Sequence, residues 1–321
     1  MFPRIQSLRR LAVPTAALAS LLSAAPLPAQ ASDPAPGPSS GSAPPLSRMP
    51  QPHVPGPGAE PARGGVLPSP RAGEGDPRAA GARVYTGAGF DTCEAPPLAT
   101  MRAWRRSSPF GAAGVYIGGR ARGCPTQANL DAGWVRATSA EGWRLLPVYV
   151  GSQAPCVLSA HKRKFALGHK DPAGHGAREG RDAVARAEAL GMRPRTAIYL
   201  DMEAYRQSDA RCAATTLRFV QAWNRAVRAA GYLPGFYSSA DSGLVHMERA
   251  RRSGARDLPE AVWFARWGSG SSVYGEKRLP PEAWHPHRRI HQYQGNVRLQ
   301  YGGRALNVDR NTVDAPVAVV G

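Results

Sequence analysis

The stretch "TAIYLDMEAY" at positions 196–205 closes an apolar run with two carboxylates one residue apart, Asp201 and Glu203. On a strand, residues two apart share a face and stand about 6.6 Å from each other, so both acids point the same way. Two like charges on one face cost stability unless the site has a use for them. Further acids close two other strand-like runs, Asp91 in "GFD" and Asp309 in "NVD". The ends of the remaining runs offer Tyr237, Trp267, Gln292 and Gln294.

Carboxylates gathered beside Tyr, Trp and Gln suit the hydrolysis of a glycosidic bond. One acid stays protonated to donate to the leaving oxygen, while another stays ionised to offset positive charge at the sugar carbon. Glu203 reaches one methylene further than Asp201 and is the expected proton donor. Asp201 is its expected partner, either orienting it or holding a substrate acetamido group that acts as internal nucleophile. Asp91 completes the catalytic candidates. Asp309, Tyr237, Trp267, Gln292 and Gln294 are expected to hold substrate, the two aromatic rings serving as flat faces for sugars.

Each of these residues has a plainer role to set beside the chemical one. A DxE pair can ligate calcium or magnesium. Asp91 can cap a helix starting near Pro96 or Pro97, Asp309 with Asn311 can shape a turn, and the two glutamines can be satisfied polar groups in a barrel mouth. Tyr199, Tyr205 and Trp263 are assigned to packing. Competing chemistries lack their signatures: there is no phosphate-binding glycine loop, no Ser-His-Asp pattern and no lysine at a strand end. No CxxC pair occurs and the histidines are not interleaved at ligand spacing, so no metal and no cofactor is expected. A metal-dependent deacetylase or phosphatase needs histidines near the acids, and His291 is the one candidate by position.

Positioning these groups requires strands that end at a common mouth. Eight strand-like runs occupy 84–91, 113–119, 144–151, 196–203, 232–239, 261–268, 289–295 and 305–311. Between the early ones lie helical stretches around 97–107, 127–141, 178–190 and 213–230. In the second, Leu130, Trp134, Val135 and Ala137 give an amphipathic spacing; in the last, Leu217, Val220, Trp223 and Val227 share a face. Gly191 stops the third. Alternating strands and helices indicate a parallel sheet with helical crossovers. Eight strands in about 240 residues match a closed α/β barrel, a TIM-like (β/α)8 fold with working residues at the C-terminal strand ends. The last connections are too short or too polar for full helices, so those helices are expected to be degenerate. An open doubly wound sheet is the alternative, but no GxGxxG follows the first strand.

The chain opens with features of a secretion signal, expected to span 1–31. Arg4, Arg9 and Arg10 precede the apolar "LAVPTAALASLLSAAPLP", and Ala29-Gln30-Ala31 fits a small-x-small cleavage site. Arg9-Arg10 leaves Sec and twin-arginine export both open. No later stretch approaches the ~20 apolar residues of a membrane span, so none is expected once the signal is cleaved. Residues 32–82 hold 13 Pro and 9 Gly in 51 positions and are expected to form a disordered linker. The barrel domain is then expected over 83–321, as a monomer. Lys and Arg number 41 against 23 acids, and removing the three signal arginines leaves a net +15. That balance fits an anionic neighbourhood such as a cell wall or an acidic polysaccharide. Nucleic acid is set aside, because the arginines are scattered, no binding motif appears and the chain carries an export signal. Four cysteines, Cys93, Cys124, Cys156 and Cys212, imply two disulfides outside the cytoplasm, with three connectivities open.

The strand ends "GFDTC", "YLDMEAY", "GFYSS", "WFARW", "HQY" and "NVDRN" resemble the glycoside hydrolase family 25 lysozymes. The whole of 84–321 resembles more closely the secreted bacterial glycoside hydrolase-like domains catalogued as domain-of-unknown-function family 1906, through "GFDTCEAPPLATMRAW", "GVYIGG", "YVGSQAPC" and "YLDMEAY". The resemblance implies a TIM-like barrel and cleavage of β-1,4 bonds in peptidoglycan or a related glycan. By it, Glu203 takes the proton donor's place and Asp201 that of the motif's aspartate. Asp91 and Asp309 match the first-strand and last-strand aspartates, and Tyr237 the aromatic after the fifth strand. Cys93 follows Asp91 where the lysozymes usually have Ser, and the cysteines look specific to the closer family. A pairing of Cys156 with Cys212 and of Cys93 with Cys124 would join neighbouring strands. The basic loop 158–177 follows the third strand and is a candidate clamp for an anionic glycan, or else a solvated surface loop. Two functions follow as expectations: a secreted glycosidase, or a non-catalytic wall- or polysaccharide-binding module that keeps the barrel mouth.

Overall fold

The computed structural model describes residues 73–321. The expected signal and the linker up to residue 72 lie outside the described residues. Eight strands form one closed barrel in chain order. They are β1 (Val84–Asp91), β2 (Ala112–Gly118), β3 (Arg144–Tyr149), β4 (Ala197–Asp201), β5 (Leu233–Ser239), β6 (Ala261–Ala265), β7 (Arg289–Tyr301) and β8 (Arg304–Pro316). The helices are α1 (Leu98–Ser107), α2 (Ala132–Ala140), α3 (Pro172–Ala189), α4 (Ala210–Ala229) and α5 (Val245–Arg252). Side-chain caps start three of them: Asp131, Asp171 and Asp209 accept from the backbone N–H of Trp134, Gly174 and Cys212. A capping acid shields an N–H that has no partner within the helix, which is why these helices begin there.

Two apolar layers hold the barrel. Leu146, Val148, Tyr199, Trp263, Ile290 and Val313 pack together in one cluster. A larger cluster joins alternate strand residues such as Phe90, Leu145, Ile198 and Phe236 to helix residues such as Trp104, Trp134, Phe219 and Trp223. Tyr199, Tyr205 and Trp263 are all buried, as packing residues should be.

One strand departs from the parallel expectation. β1 to β7 run parallel, but β8 is antiparallel to both β7 and β1. The cause is local. Gly302 and Gly303, with φ of 54° and 74°, make a two-residue turn between β7 and β8. A loop that short joins only antiparallel neighbours, and left-handed backbone at both positions matches the twist of a hairpin. The helix missing after β7 is therefore replaced by a hairpin, and β6 leads to β7 through a long loop with no α-helix.

The expected linker also ends earlier than 82. Residues 73–82 are docked on the barrel: Arg288 donates to the carbonyls of Glu74 and Gly75 at 3.0 and 2.8 Å, and Gly73 N–H donates to Glu260 at 3.2 Å. Polar contacts to a buried arginine order this piece, which is why its lack of large apolar residues gave no sign of it.

Candidate active site

Asp91 ends β1 in a buried position that a bare carboxylate would not tolerate. Tyr116 on β2 donates to its Oδ1 at 2.8 Å, while Asn311 and Gln292 donate to Oδ2 at 2.8 and 3.1 Å. The two amides are oriented by partners that can only donate: Trp263 Nε1–H points at Asn311 Oδ1 (2.8 Å) and Trp267 Nε1–H at Gln292 Oε1 (3.1 Å). Tyr237 adds a third arm, donating to the same Gln292 oxygen at 3.0 Å. Gly114 beside Asp91 makes the room, since a Cβ there would stand 2.5 Å from the Asp91 Cβ. Asp91 is thus no helix cap; α1 begins behind Pro97 with no side-chain cap.

Asp309 pairs directly with Asp91 across the β1–β8 ladder. Its Oδ1 accepts from Asn296 N–H at 2.6 Å and its Oδ2 from Gln292 at 3.3 Å. It reaches the mouth from the middle of the antiparallel β8, not as the end of a parallel strand.

Asp201 is the last residue of β4, and Glu203 lies just beyond it. Gln153, fully buried, fixes their backbone: its side-chain amide donates to the Asp201 carbonyl at 3.1 Å and its oxygen accepts from Glu203 N–H at 2.8 Å. Asp201 is buried, and its Oδ1 has no hydrogen-bond partner. Glu203 is the open member, with 39% of its side chain exposed, and its Oε1 stands 3.7 Å from Lys162 Nζ. Lys162 comes from the basic loop, whose ordered turn Ala160–Phe165 brings it to the cleft.

All four acids, with Tyr116 and Lys162, line one cavity of about 670 Å³. Their proton affinities are driven apart. Burial, then the negative charge of Glu203, pushes Asp201 up to about 8, against the pull of Lys162. Burial and Asp309 push Asp91 up to about 6, opposed by its three hydrogen-bond donors. Asp309 is raised by burial and lowered by the Asn296 amide. Tyr116 and Tyr237 rise well above the ordinary tyrosine range through burial and the surrounding carboxylates, so both remain donors. Burial thus favours the neutral form of Asp201, while three hydrogen-bond donors hold Asp91 closer to its ionised form.

Among the substrate-binding candidates, Gln292 and Tyr237 stand behind the acids as a hydrogen-bonded support. Trp267 is 52% exposed and leans over the Gly295 backbone. None of these three is among the residues lining the cavity of the four acids, and nor is Gln294, which is exposed and accepts from Arg310 at 3.0 Å. The register shifts between Gln292 and Gln294, which breaks the alternation that would have turned both inward. His291 is also directed elsewhere: it stacks on Phe264, and its ring nitrogens meet the carbonyls of Ser272 and Arg266. Tyr116, Gln153 and Lys162 escaped the sequence reading as site residues. Tyr116 sits in an apolar strand and Gln153 in a loop, so neither carries a motif; only the charge of loop 158–177 pointed toward Lys162.

The cysteines form two disulfides, Cys93–Cys124 and Cys156–Cys212. Bonds of this kind belong to oxidising compartments outside the cytoplasm. Among the described residues no helix is long and apolar enough to cross a membrane.

The family described as Rv2525c-like, glycoside hydrolase-like domain, matches residues 102–313, two thirds of the chain. The chain belongs to this family. Among solved structures it is similar to the Mycobacterium tuberculosis Tat-secreted protein Rv2525c in complex with L-tartrate, at 16% identity and TM-score 0.48, covering 71% of this chain and 96% of that one. It is also similar to an uncharacterized B. stearothermophilus protein at 18% identity and TM-score 0.45, covering 71% and 95%. The catalytic domain of endolysin ply40 from bacteriophage P40 of Listeria monocytogenes matches at 14% identity and TM-score 0.44, covering 71% and 93%. No curated protein matches the chain. For a member of a glycoside hydrolase-like family, the cavity at the barrel mouth is the place to look for sugar chemistry.

Proposed function

We propose that this glycoside hydrolase-like protein is a secreted glycosidase that cleaves β-1,4 bonds of peptidoglycan or a related cell-wall glycan. The observation that carries the reading is the convergence of Asp91, Asp201, Glu203 and Asp309 on one cavity in which their proton affinities are split. Burial and the nearby Glu203 favour the protonated form of Asp201, which places a proton next to Glu203. Glu203 delivers it to the glycosidic oxygen, because its side chain is the one open to the cleft. The bond from that oxygen to the sugar carbon breaks, and the carboxylate of Asp91, favoured in its ionised form by three donors, offsets the positive charge left on the ring. The oxygen of a water molecule then bonds to the sugar carbon, and one of its protons recharges the pair. Asp201 holds that proton before the transfer and, once ionised, can accept a hydrogen bond from the substrate. Trp267 offers a sugar its exposed face.

The test is release of reducing ends from purified cell walls. Wild type should release them, and Glu203→Gln should lower the rate by about 10²–10⁴-fold, the range for loss of a positioned acid. Absence of any release by wild type, from walls and from a panel of glucans, would sink the enzymatic reading. One observation favours a second reading: the Lys162 ammonium stands 3.7 Å from Glu203, where it can serve binding of an anionic glycan without turnover. A wall-binding module without turnover would retain wall binding in Glu203→Gln and show no cleavage in either form.

A further inference from the structure

Lys162 is the inward-facing member of the basic run Lys162-Arg163-Lys164; its two neighbours are exposed, while its own side chain is only 16% exposed. The turn that carries it is fastened at several points. Gln153 N–H donates to the Phe165 carbonyl at 3.0 Å, Leu167 N–H donates to the Gln153 carbonyl at 2.8 Å, and Arg120 donates to Phe165 O at 2.8 Å. The Cys156–Cys212 disulfide holds the start of the segment. The ammonium is therefore held on the cavity wall and does not drift in solvent.

Its donors are not all used. An ammonium has three N–H groups. One goes to the Ala121 carbonyl at 2.8 Å. The Glu203 oxygen at 3.7 Å lies beyond hydrogen-bond distance. Donors thus remain available beside the proposed acid, on a cavity large enough for a sugar. A second difficulty points the same way. A cation next to a proton donor resists protonation of that donor, unless a negative charge arrives with the substrate and engages the cation.

Resting on the glycan reading of the cleft, we propose that Lys162 is a specificity-determining residue that binds a free carboxylate on the sugar lodged beside Glu203. The carboxylate takes the unused N–H groups and draws the ammonium toward itself, so that Glu203 is freed from its neighbour only when an acidic sugar is in place. Two glycans carry that chemistry: a uronic acid polymer, and wall glycan whose muramic acid has lost its peptide and regained a free carboxylate. Neutral glycans and amide-blocked muramic acid lack it. The high positive charge of the chain, 41 Lys and Arg against 23 acids, favours approach of either source.

The experiment measures binding and hydrolysis with the full oxidised chain, wild type, Lys162→Met and Lys162→Arg. The ligands are peptide-free wall tetrasaccharides and glucuronic acid-containing tetrasaccharides, each intact and with its carboxylates reduced to alcohols. Wild type should bind the carboxylate form of at least one pair about tenfold or more tighter than its reduced counterpart, as expected for one charge-assisted contact. The pair that shows the preference identifies the source. Lys162→Met should abolish the preference, and Lys162→Arg should keep part of it. A ratio between two ligands is insensitive to a general loss of folded protein, and unfolding temperatures check each variant. Equal binding of both forms by wild type, or an unchanged preference in Lys162→Met, overturns the proposal. Hydrolysis of intact and reduced forms at equal rates overturns it too, and leaves the glycosidase reading standing. A carboxylate preference with no reducing ends released does the reverse. Failure to bind any of the four ligands overturns both.

Discussion

Replacing Asp201 by Asn should make the protein progressively more stable than wild type as the pH rises. In the fold, burial and the charge of Glu203 lift this carboxyl from 3.8 to about 8. Between those values the folded protein binds a proton that the unfolded chain releases, so each step up in pH favours unfolding. The stability associated with this group is intact below 3.8, drains away through the neutral range and is gone above about 8. Each pH unit carries about 1.36 kcal/mol, so the full interval sets a ceiling of about 6 kcal/mol. The cavity is open to water, and an effective dielectric constant nearer 20 than 4 brings the expected cost to about 3 kcal/mol at pH 9. At pH 5 most of the cost has not yet developed, and less than about 1 kcal/mol is expected.

Asparagine keeps the shape and never ionises. Its amide adds donors that find no partner in the buried site, at a cost of about 1 kcal/mol that does not change with pH. The slope is therefore the quantity to read, not the offset. Urea unfolding of both oxidised proteins at pH 5, 7 and 9 supplies it from the shift in midpoint. The variant's advantage should grow by ~2 kcal/mol or more across that range. A difference that stays flat from pH 5 to 9 would refute the reasoning, because it would mean that Asp201 is already ionised at pH 5 in the fold as it is in the unfolded chain. An advantage that shrinks with pH would refute it more strongly.

Gln153→Ala removes the amide that holds the Asp201 carbonyl and the Glu203 N–H, leaving buried polar groups unpaired. A loss of about 2–4 kcal/mol is expected in urea unfolding, together with a larger fall in kcat than rise in KM, since the backbone carrying the acids would lose its fixed position. Opening Cys156–Cys212 by replacing both residues with Ser releases a loop with a sequence separation of 56. Chain entropy puts the cost at ~4 kcal/mol, to be read as a lower melting temperature in calorimetry.

The barrel was legible because its strands are short apolar runs ending in polar residues, and because helices between the early runs carry a clear periodicity. Asp91, Asp201 and Glu203 stood out for the same reason: an acid terminating an apolar strand is conspicuous. The groups that make those acids tolerable were not legible. Tyr116 looks like any strand tyrosine, and Gln153 acquires its position only when β3 and β4 lie side by side. Lys162 was one of several cations in a loop whose path the sequence does not reveal. Gln294 points away from the acids because the register shifts just after Gln292, a break that the run "HQYQG" does not announce. The direction of β8 could have been found. "YGGR" between two strand-like runs is a two-residue hairpin signal, and a parallel crossover needs a dozen residues or more.

That hairpin is what completes the mouth. A parallel eighth strand would reach the mouth with its C-terminal end. Entering from the mouth side, β8 sets Asp309 and Asn311 two residues apart, both directed toward Asp91, as strand periodicity requires. Its partner β7 brings Gln292 to the same point through the Gln292–Asn311 pairing. The two amides supply Asp91 with donors that an apolar barrel interior cannot, and Trp263 and Trp267 prevent them from flipping. Asp91 can carry charge near neutral pH because of this antiparallel insertion. Without those amide donors, burial would favour the protonated acid more strongly, and the cleft would lose negative charge that a sugar cation needs opposite it.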